Sequence, residues 1–492
     1  MPASLLRSRR PRKIAAALAA ALAALSLGAC STLPAYTRPS MTIPAAYAGA
    51  PQAQAGWRVA APADAAPRGP WWTVFGDVDL NGLEARVDVS NQTLRRAVAD
   101  LDAARAAVDV QRAGWFPTIT ASGTPNRARV SQNKAGSSLA GKTTTDYVAG
   151  VSASWEPDLF GKIRDAVTNA KAAAAASEAD VAAVRLAVCA QLATDYFSLR
   201  SLDTQQQLLD RTVTAYDRAL KLLEQQLADG AIDASAVAQA RTQYETARTQ
   251  ATDLGARRAR LQHAIATLVG ENASTFAIAP RVQALAVPAI PTGLPSQLLE
   301  RRPDIAAAER RVAAANAQIG VARAAFYPDL TLGLGAGLES AAFAPWLTAP
   351  SLFWSLGPQL VGTLFDGGRR RAALHGATAQ YDGSVADYRQ TVLSAFQQVE
   401  DDLSTLKALA SEADSARRAA DAATLALTLT KNRFDAGAVS YLDVVTAQTI
   451  ALSSQQQVDL IDAQRIAAAV DLTTALGGGW AGLGKDAANG RP

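Results

Sequence analysis

The stretch AFYPDLTLGLGAG, residues 325–337, has a hydrophobic pattern with a period of two. Leucines alternate there with threonine or glycine, in the order Leu330, Thr331, Leu332, Gly333, Leu334, Gly335. The alternation predicts a β-strand with one apolar face and one face of small or polar side chains. Most of the chain around it is rich in alanine, which favours closely packed helices. The strand is therefore expected to belong to a small sheet in a mostly helical protein.

Three further segments alternate in the same way. They are residues 117–123, 147–155 and, more weakly, 352–365. Their lengths are close to the 9–11 residues of a tilted transmembrane strand, and the pattern is typical of an outer-membrane barrel. Half of the eight tryptophans lie in or beside the four segments: Trp115, Trp155, Trp346 and Trp354. The alternative is a small soluble sheet packed on the helices, but the shared length and alternation favour the membrane.

Four strands cannot close a barrel, and lipid tolerates no open strand edges. Several copies of the chain are therefore expected to contribute to one barrel. In such a barrel the glycines and threonines would face a water-filled bore.

The N-terminus has the layout of a secretory signal peptide. Residues 1–29 contain a basic start, an apolar run and small residues before Cys30. Leu27-Gly28-Ala29-Cys30 resembles a bacterial lipobox, which implies a lipid on Cys30, and Ser31 favours the outer membrane. Without residues 1–29 the formal charge of +4 falls to about −1, so no basic patch is left to suggest nucleic acid. The other cysteine, Cys189, lacks a partner and is expected to be a buried thiol.

The chain is expected to contain two similar halves. From Gly161 and Gly368 onward a constant offset of 207 residues places Gln191 on Gln398 and Gly230 on Gly437. This regularity over about 110 residues indicates an internal duplication.

Each half is expected to end in a pair of long helices. No proline or glycine interrupts residues 162–229, which as one helix would span roughly 100 Å. A coiled-coil seam is predicted at Leu209, Val213, Tyr216, Leu220, Leu223 and Leu227. Each hairpin has turn residues at its tip: Gly230 and Gly437 to end the first helix, and Asp233 and Ser440 to cap the second.

The predicted domain organisation is therefore a signal peptide (1–29), a lipid-anchored extended tail (30–75), a first repeat (76–270), a proline-rich segment (271–300), a second repeat (301–480) and a C-terminal tail (481–492). The first repeat is expected to contain two strands near 115–157 and a helical hairpin at 161–270. The second contains two strands near 327–366 and a hairpin at 367–477. The fold class is mostly α with a β membrane part.

The assembled chain resembles the TolC-like outer-membrane efflux family, in particular the NodT-type lipoproteins of RND drug-efflux systems. The resemblance covers nearly the whole mature chain and rests on four motifs: WWTVFGDVDLNGL (71–83), LLERRPDIAAAERRVAAANAQIGVARAAFYPDL (298–330), LFDGG (364–368) and ALGGGW (475–480). It implies a homotrimer with a twelve-stranded barrel in the outer membrane and a long α-helical barrel in the periplasm. It also implies docking with a periplasmic adaptor and an inner-membrane RND-type pump, so that drugs or other small molecules leave the cell.

Within this family, acidic residues just after the second hairpin tip line the constricted periplasmic entrance, and Asp443 matches one of those positions. Three copies would form a ring of carboxylates. The alternative is that Asp443 caps a helix together with Ser440, and both roles can hold. The weaker candidates for the constriction are Asp229, Asp233 and Asp435, for which a solvated turn is the simpler interpretation. Thr446 stands where a second carboxylate is often found, so the ring is expected to be single.

Other interpretations remain open at this stage. Arg301–Asp304, the sequence RRPD, is expected to be a structural helix start because Pro303 suits the first turn. An enzyme is not expected: His263 and His375 lie in helical patterns, no phosphate loop or nucleophile motif is present, and neither a cofactor nor a metal is expected. The alternatives are a TolC-like duct for type I protein secretion and a lipid-anchored periplasmic coiled-coil protein without a bore.

Overall fold

The computed structural model describes residues 32–44, 47–48, 69–283, 286–288, 290 and 301–478. Its helices are α1 (Val78–Ser90), α2 (Gln92–Ala113), α3 (Lys162–Ala228), α4 (Ala234–Leu268), α5 (Pro303–Ala324), α6 (Arg369–Asp435) and α7 (Tyr441–Ala475). Its strands are β1 (Thr118–Arg129), β2 (Thr143–Trp155), β3 (Asp329–Ser340) and β4 (Leu352–Val361). The predicted fold class, mostly helical with four strands per chain, is confirmed. Cys30 lies outside the described residues.

The two longest helices have the same length. α3 and α6 each contain 67 residues, and each is followed by a helix of 35 residues. In α3 the predicted seam is largely buried, with Leu209 and Leu223 at 1% and 2% exposure. No helix in the described ranges contains a stretch long and apolar enough to cross a membrane.

The four strands form one antiparallel sheet in the order β1-β2-β3-β4. Leu334 of β3 stands between Ala153 of β2 and Leu356 of β4. On the opposite face the Thr120 and Ser152 hydroxyls of β1 and β2 are hydrogen-bonded at 2.7 Å. The register therefore produces the apolar face and the small, polar face that the alternation predicts.

Three strand boundaries differ from the sequence expectation. β2 begins at Thr143 rather than at residue 147. β1 continues to Arg129 rather than ending near residue 123, and β4 ends at Val361 rather than at residue 365. β1 continues through Pro125, which pairs with Tyr147, and β4 contains Pro358. Both prolines lie on the outer strands of this four-stranded sheet, each of which has one partner strand within the described chain.

The face of small residues also contains an aromatic ring. Phe353 of β4 pairs with Gly337, and a Cβ placed on Gly337 would lie 2.9 Å from the ring and 2.3 Å from the carbonyl oxygen of Ala149. A Cβ on Gly150 would be 3.5 Å from the same ring. Here glycine gives space to a neighbouring side chain and strand as well as leaving a smooth surface.

The chain divides into two compact units. The first contains residues 101–177 and 308–388, which include the four strands, and the described residues 32–40. The second contains residues 41–100, 178–307 and 389–492 in so far as they are described. Each unit includes parts of both sequence halves. From α2 in the first half and from α5 in the second, the order is the same: a helix, two strands, a long helix and a shorter helix.

The second unit has a hydrophobic core in which α1 packs with α3, α4 and α7. Trp71 and Trp72 of the preceding 3-10 turn lie in it, and further members include Leu80, Leu192, Tyr196, Ile265 and Val470. This core holds α1 against the longer helices.

Candidate functional site

The first hairpin tip, residues 228–234, ends α3 with glycine. Gly230 has φ +70°, a left-handed conformation that suits glycine. Its N–H donates to the carbonyl of Leu227 at 3.0 Å, and the N–H of Ala231 donates to that of Gln226 at 2.8 Å. These two bonds form a Schellman motif. Asp233 then caps α4, its carboxylate accepting from the N–H of Ser235 at 2.6 Å.

The second hairpin tip, residues 435–441, repeats this geometry. Gly437 has φ +71°. Its N–H donates to the carbonyl of Phe434, and the N–H of Ala438 donates to the carbonyl of Arg433, both at 2.8 Å. At the start of α7 the N–H and hydroxyl of Ser440 donate to one oxygen of Asp443, at 2.9 and 2.7 Å. The two tips thus close 207 residues apart in sequence with matching backbone hydrogen bonds.

A small apolar cluster holds the tips together. It contains Leu220 and Leu223 of α3, Val237 and Ala240 of α4, and Tyr441 and Val444 of α7. The ring of Phe434 packs edge-on against Tyr441, with centroids 5.5 Å apart. Gln243 of α4 donates to the Thr449 hydroxyl of α7 at 3.4 Å. The positions of the tip side chains are therefore set by packing as well as by the turns.

The four acidic candidates flank the two turns, and all are exposed. Asp443 is the one tied to a helix start by Ser440, whose hydrogen bonds hold the pKa of its carboxyl below the usual range. Asp233 has its pKa lowered by the hydrogen bonds from Ser235. Asp229 accepts from Gln225 at 3.3 Å, while Asp435 ends α6. Asp443 and Asp233 are thus capping groups whose charge persists at neutral pH and remains in contact with water.

Sequence reasoning missed a buried charge network beside the core. Arg200 is 2% exposed and donates to Asp203 at 3.1 Å, to the hydroxyl of Tyr196 at 3.0 Å and to Asp79 at 3.2 Å. Arg281 donates to Asp77 at 2.6 Å. The signal that could have indicated it is an arginine and an aspartate three residues apart on α3, next to the apolar residues Leu199 and Leu202. Buried charges are tolerated when they are paired in this way.

The second arginine of the RRPD motif, Arg302, is also buried. Arg302 binds Asp304 with two hydrogen bonds of 3.0 and 2.6 Å. It further donates to Gln398 of α6 at 2.7 Å and to the carbonyl of Ala475 of α7 at 3.1 Å. Arg302 therefore ties the start of α5 to two other helices.

In the described ranges, no group of three or more His, Cys, Asp or Glu side chains is placed to hold a metal ion. The tips offer carboxylates to water and hydrogen-bonded turns to the backbone. Such a surface can attract cations electrostatically.

Duplicated long helical hairpins with matched tips, together with a four-stranded sheet that exposes an apolar face, define the class of TolC-like outer-membrane channels. The family model described as Outer membrane efflux protein matches residues 86–271 and 294–478. The chain belongs to the outer membrane efflux protein family and is an outer-membrane efflux channel. Members of this family are transport components.

Similar proteins span almost the whole chain. Outer membrane protein OprJ of Pseudomonas aeruginosa is 34% identical, with 95% of this chain and 97% of OprJ covered. The Toluene efflux pump outer membrane protein TtgC of Pseudomonas putida is 32% identical, with 94% and 95% covered. The Cation efflux system protein CusC of Escherichia coli is 30% identical, with 93% and 97% covered.

Solved structures agree with these relatives. A membrane protein from Pseudomonas aeruginosa superposes with a TM-score of 0.82 at 32% identity, over 92% of this chain and 98% of the other. The open state of the MtrE outer membrane channel of Neisseria gonorrhoeae gives a TM-score of 0.77 at 26% identity, with 92% and 98% covered.

Proposed function

We propose that three copies of the chain form one outer-membrane duct with a shared twelve-stranded barrel. The four-stranded sheet supports this most directly. β1 and β4 each pair on one side within the described chain, and lipid requires that such edges be paired. The apolar face of β4 is open, with Leu352, Trp354 and Leu356 exposed by 63%, 73% and 71%. Neighbouring copies would close the edges, and lipid would cover the apolar side chains.

The duct is the exit component of a tripartite pump, with a periplasmic adaptor and an inner-membrane RND-type pump as partners. Its cargo is a drug or another small molecule. Relatives of similar identity are named for toluene efflux and for cation efflux. Since such different cargo goes with similar channels, selection belongs mainly to the pump.

The hairpin tips are the periplasmic entrance in this proposal. Three copies of Asp443 would form a ring of carboxylates at the constriction. The exposure of Asp443 and its lowered pKa favour this role, because the carboxylate stays charged while it caps α7. Asp229, Asp233 and Asp435 would add negative charge around the same tips.

Cys30 is the proposed site of a covalent lipid. Two residues further on, the Thr32 hydroxyl lies 3.0 Å from both the carbonyl oxygen of Phe160 and the carboxyl of Asp165. Two residues reach at most about 7 Å. A lipid on Cys30 would therefore enter the membrane close to the junction between β2 and α3.

The mass of the mature protein, extracted from outer membranes in mild detergent and corrected for bound detergent, tests the shared barrel. We expect a complex with about three times the mass of the mature chain, because four strands per copy give twelve. A monomer would leave the edges of β1 and β4 unpaired in lipid, and this result would overturn the proposed duct. A lipid-anchored coiled-coil protein would then be the better interpretation.

A further inference from the structure

Glu84 is an acidic side chain in the hydrophobic core of the second unit. It lies on α1, on the face shared by Leu80 and Val87, and its side chain is 0% exposed. Neither carboxyl oxygen has a hydrogen-bond partner in the described part of the chain. A buried, unpaired carboxylate is strongly unfavourable, so the group is far more stable there when it is neutral.

The neighbouring charges lie across the contact between α1 and α3. Asp88, one turn further along α1, accepts two hydrogen bonds from Arg185 of α3, at 2.6 and 2.7 Å. Cys189, one turn beyond Arg185, is 1% exposed and is the polar neighbour of Glu84 on α3. A thiol is only a weak donor and cannot replace water around a carboxylate. Arg185 also stacks on Trp72 at 5.9 Å, so its position is constrained.

We propose that Glu84 is a proton-binding site built into the contact between α1 and α3, so that its ionisation in alkaline surroundings loosens this contact. In the closed contact Arg185 is occupied by Asp88 and Glu84 keeps its proton. When Glu84 loses the proton, its charge must reach either water or Arg185. Either movement separates α1 from the core.

The balance of forces on Glu84 sets the pH window. Burial raises the pKa of its carboxyl to about 8. The Cys189 thiol and the Arg185 cation lower this pKa, and the negative charge of Asp88 raises it. An exposed glutamate has a pKa of 4.5. The closed contact therefore holds a proton that the open one releases between these values. The closed contact is most stable below pH 4.5. Its stability decreases as the pH rises from there to about 8, and it changes no further above that pH.

The rate at which a thiol reagent modifies Cys189 measures the opening of this contact. We would use the purified full-length protein in detergent and quantify the Cys189 peptide by mass spectrometry, in wild type and in Glu84→Gln. Dividing the two rates cancels the ionisation of the thiol itself. We expect the ratio of wild-type to variant rates to rise about tenfold per pH unit between pH 5 and 8, and then to level off.

Two further variants separate proton binding from simple packing. Glu245→Gln, at an exposed ion pair on α4, should keep the wild-type pH profile. Arg185→Gln should move the plateau to higher pH, because the cation that favours the charged form of Glu84 is gone. A rate ratio that stays constant from pH 5 to 9 would overturn the proposal. If Glu84→Gln fails to fold, hydrogen exchange of the α1 amides in wild type decides instead, and unchanged protection over this range would equally refute it.

Discussion

At the residue scale, Asp443 caps α7 and is proposed to line the entrance, and one substitution can separate the two roles. Its carboxylate accepts both hydrogen bonds from Ser440 and faces water at the hairpin tip. An asparagine can still accept hydrogen bonds at the start of α7, but it carries no charge. We therefore predict that Asp443→Asn leaves the helix start intact and lowers the preference of the channel for cations. Single-channel ion selectivity in planar bilayers, measured with a salt gradient, checks this.

The pKa of Asp443 defines the pH range of that measurement. Since Ser440 lowers the pKa below the ordinary 3.8, the charge and the cap persist above this value and are lost as pH falls through the lowered pKa. Wild-type selectivity should therefore be constant from pH 5 to 8. Asp435→Asn is the matched control, because Asp435 caps no helix. If Asp443→Asn and Asp435→Asn change selectivity equally, the single ring at Asp443 is wrong.

At the element scale, positions on the small-residue face of the sheet differ in how well they tolerate an added methyl group. A methyl group on Gly337 would meet Ala149, Gly150 and Phe353 at 2.3–2.9 Å, whereas one on Gly333 would meet only the carbonyl oxygen of Gly357 at 3.9 Å. We predict that Gly337→Ala destabilises the sheet by about 1–3 kcal/mol and that Gly333→Ala does so by much less. The temperature at which the folded protein loses its heat-modifiable mobility in gel electrophoresis measures the difference. Equal midpoints would contradict this account of the face.

How far the sequence predicts each element depends on whether the cause is local. The turn and capping residues were identifiable because a turn is determined by neighbours within a few residues. They are Gly230, Gly437, Ser440 and Asp443. The period of two identified the strands, but not the extension of β1 through Pro125, which depends on pairing with Tyr147 of β2. The constriction at Asp443 stays a prediction.

The buried charges were not predicted from sequence for the same reason. A glutamate on a helix ordinarily faces water, and only packing of α1 against α3, about 100 residues later, buries Glu84. Its spacing from Leu80 and Val87 was the available signal. Arg200 likewise donates to Asp79 of α1 and to the carbonyl of Ala279, both of which are distant from it in sequence.

At the scale of the whole molecule, the first described residues lie at the junction between β2 and α3. The segment after Cys30 is held by Thr32 at Phe160 and Asp165, and by Asn316, which donates to the carbonyl of Pro34 at 3.0 Å. These contacts are formed by the folded protein, whereas the proposed lipid attachment would depend on Cys30. The two can therefore be varied independently.

We predict that Cys30→Ser abolishes incorporation of labelled palmitate, whereas Thr32→Val keeps the label and only frees the tail. Valine preserves the size of threonine but removes the hydroxyl, so the contact to Asp165 is lost. Labelled cells report the lipid, and hydrogen exchange at residues 32–37 of the purified protein reports the tail, which should exchange faster in Thr32→Val. Label retained in Cys30→Ser would exclude Cys30 as the lipid site. Unchanged exchange in Thr32→Val would show that Asn316 and the other contacts hold the tail without Thr32.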